Sequence, residues 1–470
     1  MPLPPSLRYA SVLLLATFSV AHGQGTVQVA PAAAGEPLSA QFQVGVEGQN
    51  VPVYLAPISS LTAEQRRTLR LVDLKTTTTS FASFDMTGPV HVTVTSAEPI
   101  TRIVVLPDNC GVTPQISGKT VTFTLSEPKK LTLEVNGNWI NSLHLFANAP
   151  EPAPPKEGDP NVIYFGPGIH NVESIPVTSG QTVYLADGAI LYGHATTGNL
   201  HTPILDLHGS DIVLRGRGII DGALCPRGTR STVGVVGSRI KVEGVIIRNS
   251  PGFNLPVRRS DDVTIDNVKV FGWRQNSDGM DICNSRRVTV HDCFLRTFDD
   301  LIVLKTDLGQ GELRDVTVTH CILWNEFAHA LSLGAELREP LTNMTFSDCD
   351  IIHDKGREWL LRIYNCDSAP VKNVVFDHIR IEEARRLMSV WIGKAVWSRE
   401  DERGHVDGVT FQNIESVQPE VAAPYADLVG FDPTHLVQNI QFQNILIAGK
   451  PLEKAKIHQN AYVTGVTLNR

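Results

Sequence analysis

From Ile240 onward the chain keeps returning to one phrase: an apolar residue, any residue, an apolar residue, two polar or small residues, then another apolar residue. It first reads Ile240-Lys241-Val242-Glu243-Gly244-Val245. It returns as Val263-Thr264-Ile265-Asp266-Asn267-Val268 and as Val288-Thr289-Val290-His291-Asp292-Cys293. Further copies close at Cys321, Cys349, Ile379, Ile414 and Ile445, so the closing positions lie 23 to 35 residues apart. Self-similarity at such a period marks a stacked-repeat architecture. Each phrase alternates like a strand with one buried face. Its Val, Ile, Thr and Phe content favours strands, and Asn and Gly punctuate the turns. One period is the length of one coil of a parallel β-helix; leucine-rich repeats have a similar period, but their Leu and Asn signature is absent. Equivalent residues of successive coils then stack at strand spacing, about 4.8 Å. Cys293, Cys321 and Cys349 fall in one such column. They read as core packing, since a buried free Cys behaves as a small hydrophobe.

The preceding segment alternates without the repeat. Val90–Thr95, Arg102–Leu106, Thr120–Leu125 and Leu131–Val135 are short strand-like runs separated by Gly, Pro, Asn and Ser. That spacing predicts a β-sandwich over residues 24–149. The Pro-rich stretch 150–161 reads as a stiff linker, and the β-helix is expected over 162–470. The first residues read as an export signal, 1–23. Arg8 supplies the positive region, residues 9–20 an apolar core, and Ala21-His22-Gly23 the small residues before a cleavage point. The apolar run is too short to span a bilayer comfortably. A secreted or periplasmic protein without a membrane span is therefore expected. A net charge of −8 argues against a nucleic-acid partner. Seven Cys in 470 residues are too sparse for a disulfide scaffold.

Candidate chemistry is concentrated in Asn276-Ser277-Asp278-Gly279 and Phe298-Asp299-Asp300-Leu301. Like charges a few Å apart raise each other's pKa. A fold that fixes an Asp pair beside a third carboxylate holds both a proton donor and a proton acceptor, the combination glycosidic-bond hydrolysis needs. Asp278 and Asp299 are 21 residues apart, nearly one coil, so the three carboxylates are expected along one groove. The same spacing brings His329 to that face one coil later, and Arg362 one coil beyond.

In order, Asn276-Ser277-Asp278, Asp299-Asp300, Ala328-His329-Ala330 and Arg362-Ile363-Tyr364 resemble the polygalacturonase pattern N-T-D, D-D, G-H-G, R-I-K. The related dextranase and isopullulanase family shares the three-Asp arrangement. The resemblance implies an all-β fold, a right-handed parallel β-helix preceded by a smaller N-terminal β-sandwich. It implies an inverting glycoside hydrolase in which Asp299 is the general acid, Asp278 and Asp300 activate water, and His329 tunes or bonds the acid. It makes Asn276, Asp281, Arg362 and Tyr364 substrate contacts. Tyr364 departs from the pattern, because it stands where a Lys would pair a galacturonate carboxylate. Lys305 is a partial replacement for that charge, and Trp273 and Trp324 are candidate stacking platforms for a neutral sugar. The expected ligand is a polysaccharide or oligosaccharide, either neutral or pectic, with no metal or other cofactor. A polysaccharide lyase and a non-catalytic glycan-binding β-helix are the alternatives.

Overall fold

A computed structural model describes residues 25–62, 64–65, 75–195, 198, 200–419 and 424–469; the expected export segment 1–23 lies outside the described residues. From Val162 the chain winds as a right-handed parallel β-helix, its strands among the described residues pairing coil upon coil. Each coil contributes to three sheets. In one coil the first sheet takes Asp261–Asp266, the second Lys269–Gly272 and the third Met280–Cys283. The next coil lays Arg286–His291, Phe294–Thr297 and Ile302–Thr306 on them in parallel register.

The repeated phrase explains the winding. Its alternating apolar residues point into the solenoid, and its penultimate residue turns the corner from the first sheet to the second. Asn267, Asp292, His320, Asp348, His378, Asn413 and Asn444 hold that corner with φ between +49° and +56°. Asn and Asp tolerate this left-handed conformation better than other non-Gly residues. The residue after the corner returns to the core. That column runs Val268, Cys293, Cys321, Cys349, Ile379, Ile414, Ile445, all 3% exposed or less. The three cysteines occupy places that Val and Ile fill elsewhere, as the spacing predicts. Farther along, Phe346, Phe376, Phe411 and Phe442 stack at centroid distances of 4.9, 5.0 and 5.4 Å.

The N-terminal region is a sandwich of two sheets with its own apolar core. One of its sheets lies on the outer face of the solenoid's second sheet, where Tyr54, Phe81 and Phe146 pack against Phe271, Phe294 and Trp324. Ion pairs cross the same seam, among them Arg217–Asp85 at 2.7 Å and Arg248–Glu36 at 2.6 Å. The Pro-rich stretch is fastened to the solenoid rather than free: Glu151 accepts hydrogen bonds from Arg215 Nε at 2.9 Å and Tyr184 Oη at 3.0 Å. Among the described residues no helix is long and apolar enough to cross a membrane.

Candidate active site

The turns that lead from the second sheet into the third form the site. They do not leave the ladder. Gly279 N donates to Asp300 O and Met280 N to Leu301 O, both at 2.8 Å, and Leu301 N donates to His329 O at 2.9 Å. Gly279 is required here, because a Cβ would lie 2.4 Å from Leu301 O. Asp278, Asp300 and His329 therefore stand at one offset, two residues before the paired strand starts Met280, Ile302 and Leu331. The sequence spacing set Asp278 against Asp299; the ladder sets it against Asp300. Asp299 sits one residue outward and is less buried than its two partners. All three carboxylates and His329 line one cavity of about 230 Å³.

Each carboxylate has a different surrounding. Asp299 Oδ2 accepts from Asn276 N at 2.9 Å, and its Oδ1 from Asp300 N at 3.2 Å. Asn276 achieves this with a left-handed backbone, φ +59°. Asp300 Oδ1 accepts from His329 N at 3.2 Å. Burial, followed by the charge of Asp278, pushes Asp299 up to about 6. Burial and both neighbouring carboxylates push Asp300 well above the usual range. Asp278 Oδ2 accepts from Lys305 Nζ at 2.9 Å, and its Oδ1 is buried without a partner. Burial works against the Lys305 charge, but Asp278, Asp281 and Asp300 outweigh it and hold that ammonium protonated. The cluster thus keeps a shared proton near neutral pH, titrating as a unit.

The His329 imidazole bonds neither aspartate. Its Nδ1 donates to Trp359 O at 2.8 Å, and burial with the nearby Arg362 charge lowers it to about 3. It is a neutral ring whose Nε2 faces Arg362 Nη1 at 3.4 Å. Arg362 also donates to Glu358 Oε2 at 3.1 Å, and its guanidinium lies 3.7 Å from the centre of the Tyr364 ring. Arg362 and Tyr364 both line the cavity.

Three expected substrate contacts lie elsewhere. Asp281 is fully buried, because it is on the outward parity of its strand but beneath Lys305, whose Nζ it accepts at 2.7 Å. Burial raises its carboxyl to about 8. It holds Lys305 and does not line the cavity. Trp324 is also fully buried: it projects from the second sheet into the sandwich seam, against Arg296 at 3.7 Å and His353 at 4.3 Å. Trp273 turns back to the previous coil, where its Nε1 donates to Asn249 Oδ1 at 3.2 Å, and it does not line the cavity. Lys305 is in the cavity, but its charge is committed to Asp278 and Asp281. Residues the sequence reading did not place at the site include Phe253, Glu336, Glu358 and Trp397. One signal pointed to Trp397: it falls in the longest interval of the repeat, the 35 residues from Ile379 to Ile414.

A family model, glycosyl hydrolases family 28, matches residues 231–465, half of the chain. A polygalacturonase of Juniperus ashei is 22% identical over 289 residues, 54% of this chain and 54% of its own length. An endo-polygalacturonase of Pectobacterium carotovorum subsp. carotovorum is 30% identical over 96 residues, 20% of this chain and 23% of its own. The chain thus spans about half, or less, of these relatives. Among solved structures, Dex49A from Penicillium minioluteum superposes with a TM-score of 0.58 at 12% identity, covering 94% of this chain and 96% of that one. The polygalacturonase from Erwinia carotovora ssp. carotovora gives 0.52 at 14% identity over 62% of this chain and 86% of that one. These two likenesses show the fold.

Proposed function

The chain belongs to glycosyl hydrolases family 28, and from that premise we propose that it hydrolyses O-glycosidic bonds of a polysaccharide or oligosaccharide with inversion at the anomeric carbon. The observation that carries this reading is the convergence of Asp278, Asp299 and Asp300 on one cavity, each in a different polar setting. Asp299, outermost of the three, gives its proton to the glycosidic oxygen as the bond to the anomeric carbon breaks. A water on the opposite face adds to that carbon and passes a proton to the Asp278–Asp300 pair. Asp278 Oδ1 has no hydrogen-bond partner of its own. The proton returns to Asp299 through solvent. Arg362, steadied by His329 and Glu358, holds the sugar beside the acid. The export reading of residues 1–23 puts the substrate outside the cytoplasm.

One observation favours a second assignment of the proton. Asp300 is raised well above the usual range by burial and by both neighbouring carboxylates, which makes it a second holder for the shared proton. The roles separate experimentally. Wild-type protein is incubated with a panel of glycans, and reducing ends are counted while ultraviolet absorbance and the first-formed anomer are followed. New reducing ends of inverted configuration without absorbance support the proposal. An unsaturated, absorbing product would make the protein a lyase. In Asp299→Asn, loss of turnover on substrates with poor leaving groups and retention on an activated aryl glycoside identifies Asp299 as the acid. That pattern in Asp300→Asn instead moves the role to Asp300.

A further inference from the structure

Beyond Tyr364 the cavity ends on a loop that carries two exposed apolar side chains, Val396 at 81% and Trp397 at 45% exposure. Its base is built to stay put. Gly393 N donates to Asn365 O at 3.1 Å, where a Cβ would lie 2.3 Å from the Trp391 ring. Ala395 N donates to Ser398 Oγ, which donates to Cys366 O at 2.8 Å. The buried Asp367 Oδ1 accepts from Arg399 N at 2.7 Å and Glu400 N at 3.0 Å. A fixed loop that holds an indole out over a polar cavity leaves apolar surface in water unless a ligand covers it.

The charges around that indole select among ligands. Lys305 is bonded to Asp278 and Asp281. Arg357 and Arg362 both pair with Glu358, at 3.4 and 3.1 Å. Every cation lining the cavity therefore has a carboxylate partner, while Glu336 also lines it and pairs with no cation among the described residues. A carboxylated ring placed here meets like charge and no uncommitted ammonium or guanidinium. An uncharged ring meets acceptors for its hydroxyls and an aromatic face for its C–H face.

Resting on the hydrolase reading above, we propose that Trp397, with Glu336 and Glu358, forms a subsite for an uncharged sugar ring next to the point of cleavage, so that the substrate is a neutral glycan. The test is calorimetric titration of the Asp299→Asn protein with isomaltotriose, maltotriose, arabinotriose, trigalacturonate and the methyl ester of trigalacturonate. At least one neutral probe is expected to bind. Trp397→Ala in the same background weakens that probe at least tenfold, and Trp397→Phe restores most of the loss. The methyl ester binds more tightly than the free acid. Removing the Asp299 charge favours the acid, which makes this last arm a strict one. Three results each overturn the subsite: no neutral probe binds, Trp397→Ala binds as before, or the free acid outbinds its ester. Turnover of the same panel by the unaltered protein is scored separately. Its absence would sink the hydrolase reading, while the titration still decides the subsite.

Discussion

Two buried clusters in this protein each set one cation between two carboxylates. In the seam between sandwich and solenoid, Arg248 lies between Asp221 and Glu36. Beneath the groove, Lys305 lies between Asp278 and Asp281. The seam cluster is saturated. Arg248 also donates to Leu55 O at 2.6 Å, Tyr192 Oη donates to Glu36 Oε2 at 2.8 Å, and Ala223 N donates to Asp221 Oδ1 at 2.7 Å. The groove cluster is left open, with Asp278 Oδ1 and Asp281 Oδ2 buried and unpartnered. Buried polar atoms without partners are rare in folded proteins and call for an explanation. The same charge count thus serves two ends. Completed hydrogen bonds make a joint between domains, and incomplete ones leave bare acceptors beneath the cavity.

The largest effect that tests this contrast is on rate. Asp299→Asn is expected to lower kcat by about 10²–10⁴-fold, the usual worth of a positioned acid, with an unchanged circular dichroism spectrum. Next comes stability. Arg248→Ala leaves two buried carboxylates unpaired and should cost about 3–5 kcal/mol in urea unfolding, while kcat of the protein that stays folded holds. Lys305→Gln should lose rate as well as stability, because it takes the cation from Asp278 and Asp281 beneath the cavity. It also moves the acidic limb of kcat/KM to higher pH, because the ammonium that favours the ionised cluster is gone. A kcat unchanged in Lys305→Gln, or a kcat collapse in Arg248→Ala, would erase the distinction.

The smallest effect concerns pH. Asp299 is raised to about 6, so between pH 4 and 6 the folded state binds more protons than the unfolded one. Stability from this group is full below pH 4 and falls as pH rises through 6. Asp299→Asn should therefore stabilise the protein at pH 7 and not at pH 3.5, read from paired urea curves. In the wild type, kcat/KM should decline on the alkaline side as the shared proton leaves.

The solenoid was legible because a one-sided strand repeated many times announces its period and its inward face. The order of Asp278, Asp299-Asp300, His329 and Arg362 was legible because the turns that carry them stay on that period. What escaped was what lies over an outward-facing side chain. Trp324 and Asp281 both face away from the solenoid core, and nothing in their own repeats says that a sandwich covers the first and Lys305 the second. The pairing of Asp278 with Asp300 escaped for a finer reason: adjacent Asp residues differ by one position, and only the hydrogen bonds through Gly279 decide which of them is in register. Trp397 escaped because its loop departs from the period altogether.

The backbone bonds that run unbroken through these turns have a geometric corollary. Because Asp278, Asp300 and His329 hang from a ladder with a fixed rise, their mutual spacing is a property of β-sheet itself and not of any loop. New specificities on this scaffold must then arise sideways, in insertions such as the one bearing Trp397. Changing the gap between the acids would mean adding or deleting a whole coil, whereas changing the sugar takes only a different overhang.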